Sequence, residues 1–125
     1  MHLPKPFDTF RLEKRPGEYK SFHSDNDTSY PIAGVTYPTN YGDISDYTGE
    51  DGHPLDVFVG TGDLLAFITV FRPDIPAQIE HKFCVNITSR EEAEIHKAFA
   101  PVLRQHGRFA SMSELLKAME FFKND

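Results

Sequence analysis

One cysteine, Cys84, occurs in 125 residues. That excludes an internal disulfide and a cysteine-based zinc site, and it suits a reducing cytoplasm. Positive charge is scarce as well: 13 Lys and Arg stand against 19 Asp and Glu, a formal net charge of −6. Such a surface repels nucleic acid and anionic lipid, which are held chiefly by Lys and Arg. It also repels phosphorylated ligands unless metal cations bridge to them. No strand interleaves aromatic and basic residues as a single-strand binder would, and no glycine-rich loop opens a helix as a P-loop would. No apolar run is long enough to span a bilayer. Met1 to Phe10 has two prolines and no apolar h-region, so it does not read as a signal peptide, and Met1 to Phe7 is expected to be an extended arm held by Pro4 and Pro6. Internal repeats, low-complexity tracts and linkers are missing. These exclusions leave an expected cytoplasmic protein, one domain over residues 1–125, without nucleic-acid or membrane partners.

What is present is aromatic bulk, 11 Phe in all, and a series of strand-like runs. Thr9 to Glu13 is expected to be a short strand. Glu18 to Phe22 alternates, with Glu18, Lys20 and Phe22 on one side. His23 to Ser29 is a polar hairpin loop, and Ile32 to Tyr37 is a second strand. Leu55 to Val59 and Leu64 to Phe71 are apolar runs bounded by turn formers, the latter fitting a strand buried on both faces. In Ile79 to Ile87, residues Ile79, His81, Phe83, Val85 and Ile87 share one face, while Glu80, Lys82, Cys84 and Asn86 share the other. His81 reads as a satisfied core or edge histidine.

Two helices are expected to follow. Ser89 opens the first as the N-cap of a capping box. Ile95, Ala98, Phe99, Val102 and Leu103 form its apolar stripe, and Gly107 stops it. Ser111 with Glu114 repeats the cap for a second helix carrying Met112, Leu115, Leu116, Met119 and Phe122. Both stripes read as core-packing faces. Strands followed by helices predict an α+β fold: a small antiparallel sheet or barrel with the two C-terminal helices packed on one side.

The densest group of ligand-type residues and turn formers is Tyr37 to Gly60. Asp51, on a loop with Gly52, and Asp56, near a strand start, can converge on one hard cation, since Mg²⁺ takes one or two carboxylates plus phosphate oxygens and water. By spacing alone an acidic solvated turn fits equally well. Glu80 with Lys82 reads equally as an exposed ion pair, and Tyr37 with Tyr41 as a packed turn.

The segments Tyr37-Pro38-Thr39-Asn40-Tyr41-Gly42 and Asp51-Gly52-His53-Pro54-Leu55-Asp56-Val57 together resemble the signature of the soluble family I inorganic pyrophosphatases. The clear resemblance covers Val35 to about Gly60. Weaker similarity runs through Leu12 to Phe22 and Ile79 to Val85. The resemblance implies an OB-like barrel with helices packed on it. It also implies metal-dependent hydrolysis of pyrophosphate to two phosphates, with Mg²⁺ or, alternatively, Mn²⁺, and by analogy a homo-oligomer. On this basis Asp51 and Asp56 are metal ligands, and Asp56 with Tyr41 acts on the attacking water and the phosphate. Glu80, Asp74 and Glu13 match further metal-site acids. Lys82, Tyr41, Tyr37 and Lys20 face phosphate. His53 stands where the family has an aspartate and is read as a metal ligand, a donor behind one, or a surface residue.

The chain departs from the family in several places. His53 brings no negative charge and suits softer ions than Mg²⁺. Glu18-Tyr19-Lys20 reverses the family's Lys-x-Glu. Ser29 lies near the place of a phosphate-binding arginine, and the late Tyr-Lys pair is missing. Each loss removes a charge or a phosphate contact. Two other readings follow: a catalytically silent pyrophosphatase-like binding or regulatory module, and a phosphohydrolase of altered substrate specificity.

Overall fold

Apolar runs this long need cover on both faces, and the two best-marked ones end up side by side. The computed structural model describes residues 3–125, so residues 1–2 of the expected N-terminal arm lie outside it. Its strands are β1 (Arg11–Lys14), β2 (Tyr19–Ser21), β3 (Gly34–Thr36), β4 (Asn40–Thr48), β5 (Pro54–Val59), β6 (Leu64–Phe71), β7 (Ile79–Ile87) and β8 (Leu103–Phe109). The helices are α1 (Ser89–Ala98) and α2 (Met112–Met119), with 3₁₀ turns at Phe7–Thr9 and Glu120–Phe122. The fold is mixed α+β. One six-stranded sheet runs β1-β4-β5-β7-β6-β8, and a separate two-stranded sheet pairs β2 with β3. No helix is long and apolar enough to cross a membrane.

The expected antiparallel sheet is corrected at one place: β5 and β7 pair in parallel, with Val57 beside Phe83 and Val59 beside Val85. β6 lies on the far side of β7, so the chain passes over β7 to return in the direction of β5. This register sets Asp56 level with Lys82 on one face of the sheet. The stretch after Tyr41, within the segment read as ligand-type residues and turn formers, is likewise a strand. Asn40–Thr48 pairs with β1 on one side and β5 on the other.

Alternation along β7 divides the interior in two. Phe83 and Val85 pack with Ile44, Leu55, Val57, Phe7, Leu115 and Met119 on one face. Cys84 packs on the other with Phe58, Ile68, Val70, Ile95 and Phe99. Ile87 joins Cys84 rather than Phe83, against the simple alternation. Asn86 adopts φ 55°, and the register with β6 slips between Ala66–Cys84 and Leu64–Ile87, so a bulge turns Ile87 over. The helices therefore do not share one side: α2 covers the first cluster and α1 the second.

The largest correction lies after α1. The residues expected to extend that helix to Gly107 form β8, an edge strand on β6. Pro101 explains the break, because proline removes an amide donor and clashes with the preceding turn. Beyond it, Arg104, His106 and Arg108 alternate with Leu103, Gln105 and Phe109, and the exposed charges on Arg104 and Arg108 guard an open edge. Gly107 is a packing residue rather than a helix stop, since a Cβ there would lie 2.8 Å from the Phe67 ring.

The cap of α1 is shifted by one residue from expectation. Thr88 accepts from the Glu91 amide at 3.0 Å, and Glu91 accepts from the Thr88 amide at 2.8 Å. At α2 the expected cap holds, with Ser111 accepting from the Glu114 amide at 3.2 Å. Removing a capping oxygen typically costs about 1 kcal/mol. Thr88→Ala is therefore expected to lower unfolding stability in urea by about 1 kcal/mol, and Ser89→Ala to change it by less than about 0.5 kcal/mol. Equal effects from the two would contradict the assignment.

Candidate functional site

Lys82 is a buried lysine on a strand whose neighbours on the same face are Glu80 and Cys84. A buried ammonium requires partners, because leaving one unpaired costs several kcal/mol. It has three. Nζ donates to Glu80 Oε1 at 2.6 Å, to Tyr41 Oη at 2.7 Å and to Asp56 Oδ2 at 2.9 Å. It also lies 5.1 Å from the centre of the Tyr41 ring. These partners come from β4, β5 and β7, so the sheet register itself assembles the group. Side-chain exposure falls from 21% at Asp56 to 5% at Lys82 and 2% at Glu80.

The electrostatics follow from depth. Burial works against the Lys82 charge, but Asp56, Tyr41 and Glu80 outweigh it and hold the ammonium well above the ordinary lysine range. Burial also opposes the Asp56 charge; Lys82 overcomes this, and Asp56 sits below the usual carboxylate range. Glu80 goes the other way, raised chiefly by burial with Lys82 opposing. One ammonium facing two carboxylates favours ionisation of the more hydrated one, which is Asp56. Burial drives Tyr41 far above the ordinary phenol range, so it stays protonated.

This group forms the floor of a cavity of about 410 Å³. Tyr37 stacks on Tyr41 with ring centres 4.5 Å apart. Asp51 and His53 stand on the β4–β5 loop, where Gly52 at φ 82° permits the turn and the His53 amide donates to Asp51 Oδ1 at 2.9 Å. Lys20 of β2 donates to Glu13 of β1 at 3.0 Å at the rim. The cavity thus brings together Glu13, Lys20, Tyr37, Tyr41, Asp51, His53, Asp56 and Lys82 from the residues picked out in the sequence.

Two picks lie elsewhere. Glu80 is enclosed behind Lys82, with its other oxygen accepting from Arg72 Nη1 at 3.0 Å. It supports the floor and does not line the cavity. Asp74 is exposed outside it, held by Arg72 at 2.6 and 2.9 Å. Glu80 with Lys82 is not the exposed pair that spacing alone allowed.

Arg72, Arg11, Asp43 and Tyr30 also line the cavity, and sequence reasoning missed all four. Arg72 read only as the break after β6. An arginine ending an apolar buried strand is itself a signal, since its charge must be met nearby. Burial opposes that charge, but Asp74 and Glu80 raise Arg72 further above the ordinary arginine range. Asp43 is the cross-strand partner of Asp56. Two like charges directly opposite repel, and each has its own cation: Arg11 donates to Asp43 at 3.0 Å, and Lys82 holds Asp56.

Among the described residues no three His, Cys, Asp or Glu side chains are arranged to hold a metal on their own. Asp51 and Asp56 nevertheless present carboxylate oxygens to one cavity, and Mg²⁺ takes only one or two carboxylates when phosphate and water complete its shell. A cation held by these two alone would need an anionic ligand and water to complete its shell. No protein-family model, curated protein or solved structure matches the chain.

Lys82→Met would leave Asp56 and Glu80 facing an apolar end. The expected loss is about 3–5 kcal/mol of unfolding stability near neutral pH. With Lys82 gone both carboxylates have raised pKa values, so their penalty is present above those values and relieved as pH falls through them. Urea titrations at pH 7 and pH 4.5 should show the deficit shrinking in acid. A deficit independent of pH would contradict the pairing.

Proposed function

We propose that the chain hydrolyses pyrophosphate to two phosphates and is a divergent relative of the soluble family I inorganic pyrophosphatases. The observation that carries this reading is the convergence of Tyr37, Tyr41, Asp51, His53, Asp56 and Lys82 on one cavity. They come from β4, β5, β7 and their connecting segments, yet all belong to the resembling stretches of sequence. The finer fold reading, an OB-like barrel, goes with it. The open edges at β1 and β8 are where this chain departs from a closed barrel.

In this reading Lys82 and Tyr41 meet phosphate oxygens at the cavity floor. Lys82 already divides its three donors among Tyr41, Asp56 and Glu80, so a phosphate oxygen takes one donor over and frees Asp56. Asp56, ionised and facing the cavity, then orients the attacking water and accepts a hydrogen bond from it. Beside Lys20 at the rim, Arg72 and Arg11 supply cationic charge that the resemblance did not locate. Asp51 and Asp56 would hold Mg²⁺ or Mn²⁺, which offsets phosphate charge and lowers the pKa of bound water.

One observation favours the silent-module reading. Four acids at the site already have protein cations: Glu13 has Lys20, Asp43 has Arg11, Asp56 has Lys82, and Glu80 has both Lys82 and Arg72. A cavity balanced in this way can hold an anion without turning it over.

Phosphate release from pyrophosphate, read by malachite green with Mg²⁺ and then Mn²⁺, separates the readings. Turnover is expected, with Asp56→Asn slower by about 10²–10³-fold, the usual effect of removing one transition-state contact. Release no faster than from Asp56→Asn would rule out the enzyme. Calorimetric binding of pyrophosphate without turnover would favour the module.

A further inference from the structure

Outside the charged cavity, two histidine rings meet at the junction of α1 and β8. His96, on the outer part of α1, is half-buried, and His106 of β8 is exposed. Their ring centres are 4.4 Å apart, with planes inclined by 43°. Among the described residues, two other histidines have a ring nitrogen engaged by the protein, His81 with Glu50 at 2.7 Å and His23 with the Tyr30 carbonyl at 2.6 Å, while the His53 ring, at the charged cavity, has none. Among the described residues no such hydrogen bond falls to either ring of this pair. Two imidazoles side by side, without hydrogen bonds to the protein, are a nitrogen donor set that lies outside the charged cavity.

We propose that His96 and His106 form a binding site for a divalent transition-metal ion that pins α1 to β8. The spacing itself supports it. An imidazole nitrogen binds such an ion at about 2.0–2.1 Å and its ring centre lies about 1.1 Å further on, so two rings on one ion have centres about 4.5 Å apart at a right angle and about 5.1 Å at a tetrahedral one. The observed 4.4 Å lies close to that range, and imidazole nitrogens suit Ni²⁺, Cu²⁺ and Zn²⁺. Glu92, one helical turn before His96, lends negative charge beside the pair. Its own carboxylate is engaged by Arg108, at 2.6 Å from Nη2, so the site is a two-histidine clamp completed by water. The donors are nitrogens, unlike the carboxylate oxygens of the cavity, and the two sites select different ions.

Calorimetric titration of tag-free, full-length protein with Ni²⁺ tests this. One-site binding is expected, with a rise in melting temperature at saturating Ni²⁺. His96→Gln and His106→Gln should each weaken binding at least about tenfold, the loss of one of two ligands, while Lys117→Gln, an exposed change on α2, leaves it unchanged. Absence of binding in the unmodified protein, or binding undiminished in both histidine variants, overturns the proposal. A second measurement needs no variants. Ni²⁺ should protect His96 and His106 from diethyl pyrocarbonate, and equal modification with and without the ion overturns it as well.

Discussion

The ammonium of Lys82 is the charge around which this fold is arranged. It lies in the sheet with 5% of its side chain exposed, and a charge at that depth is tolerated only when its donors are matched. Asp56, Glu80 and Tyr41 match them, each from a position fixed by strand register. The parallel pairing of β5 with β7 sets Asp56 beside Lys82. Alternation along β7 sets Glu80 on the same face. The pairing of β4 with β5 places Tyr41 opposite Phe58, so that its hydroxyl reaches over the floor. A slip of one residue in any of these strands would turn a charged group into the other core.

The two faces of the sheet consequently have different tasks. The face under α2 is closed by Phe7, Phe83, Leu115 and Met119 and carries stability. The face under α1 has a deep apolar part, with Phe58, Ile95 and Phe99, and opens toward a charged cavity. Apart from Asp51, the acids in and beneath that cavity are held in ion pairs, and depth grades them. Glu80, the most enclosed, is held by two cations; Asp56 by Lys82; Asp43 and Glu13 by single partners nearer the rim. An anion entering the cavity therefore meets cations already oriented by carboxylates, and it competes with those carboxylates for them. That competition underlies both the proposed hydrolysis and the alternative of binding alone.

Much of this was legible in the sequence, and the limits have physical causes. β6 and β7 could be read to their ends, because one is bounded by turn formers and the other alternates. The cavity residues at Tyr37, Tyr41, Asp51, His53, Asp56 and Lys82 could be chosen because local spacing and a recognisable signature mark them. What was lost came from tertiary pairing. Leu103 to Phe109 continues a helical stripe in periodicity, yet Pro101 interrupts it and the open edge of β6 captures it as a strand. Asn86 turns Ile87 over through a backbone bulge that no hydrophobic pattern announces. Arg72 and Arg11 reach the cavity from distant strands, and Asp74, close to the site in sequence, is drawn away by Arg72. Glu80 was chosen as a ligand because the resemblance matches it to a metal-site acid, whereas burial makes it a support.

The central claim is that the cavity around Lys82 receives a phosphoanhydride. Crystals grown with pyrophosphate and Mn²⁺ test it most directly. The predicted result is a phosphate oxygen within hydrogen-bond distance of Lys82 Nζ and Tyr41 Oη, with anomalous scattering from Mn²⁺ beside Asp51 and Asp56. Pyrophosphate bound elsewhere, with Lys82 still donating to both Asp56 and Glu80 and no anomalous signal in the cavity, would contradict it.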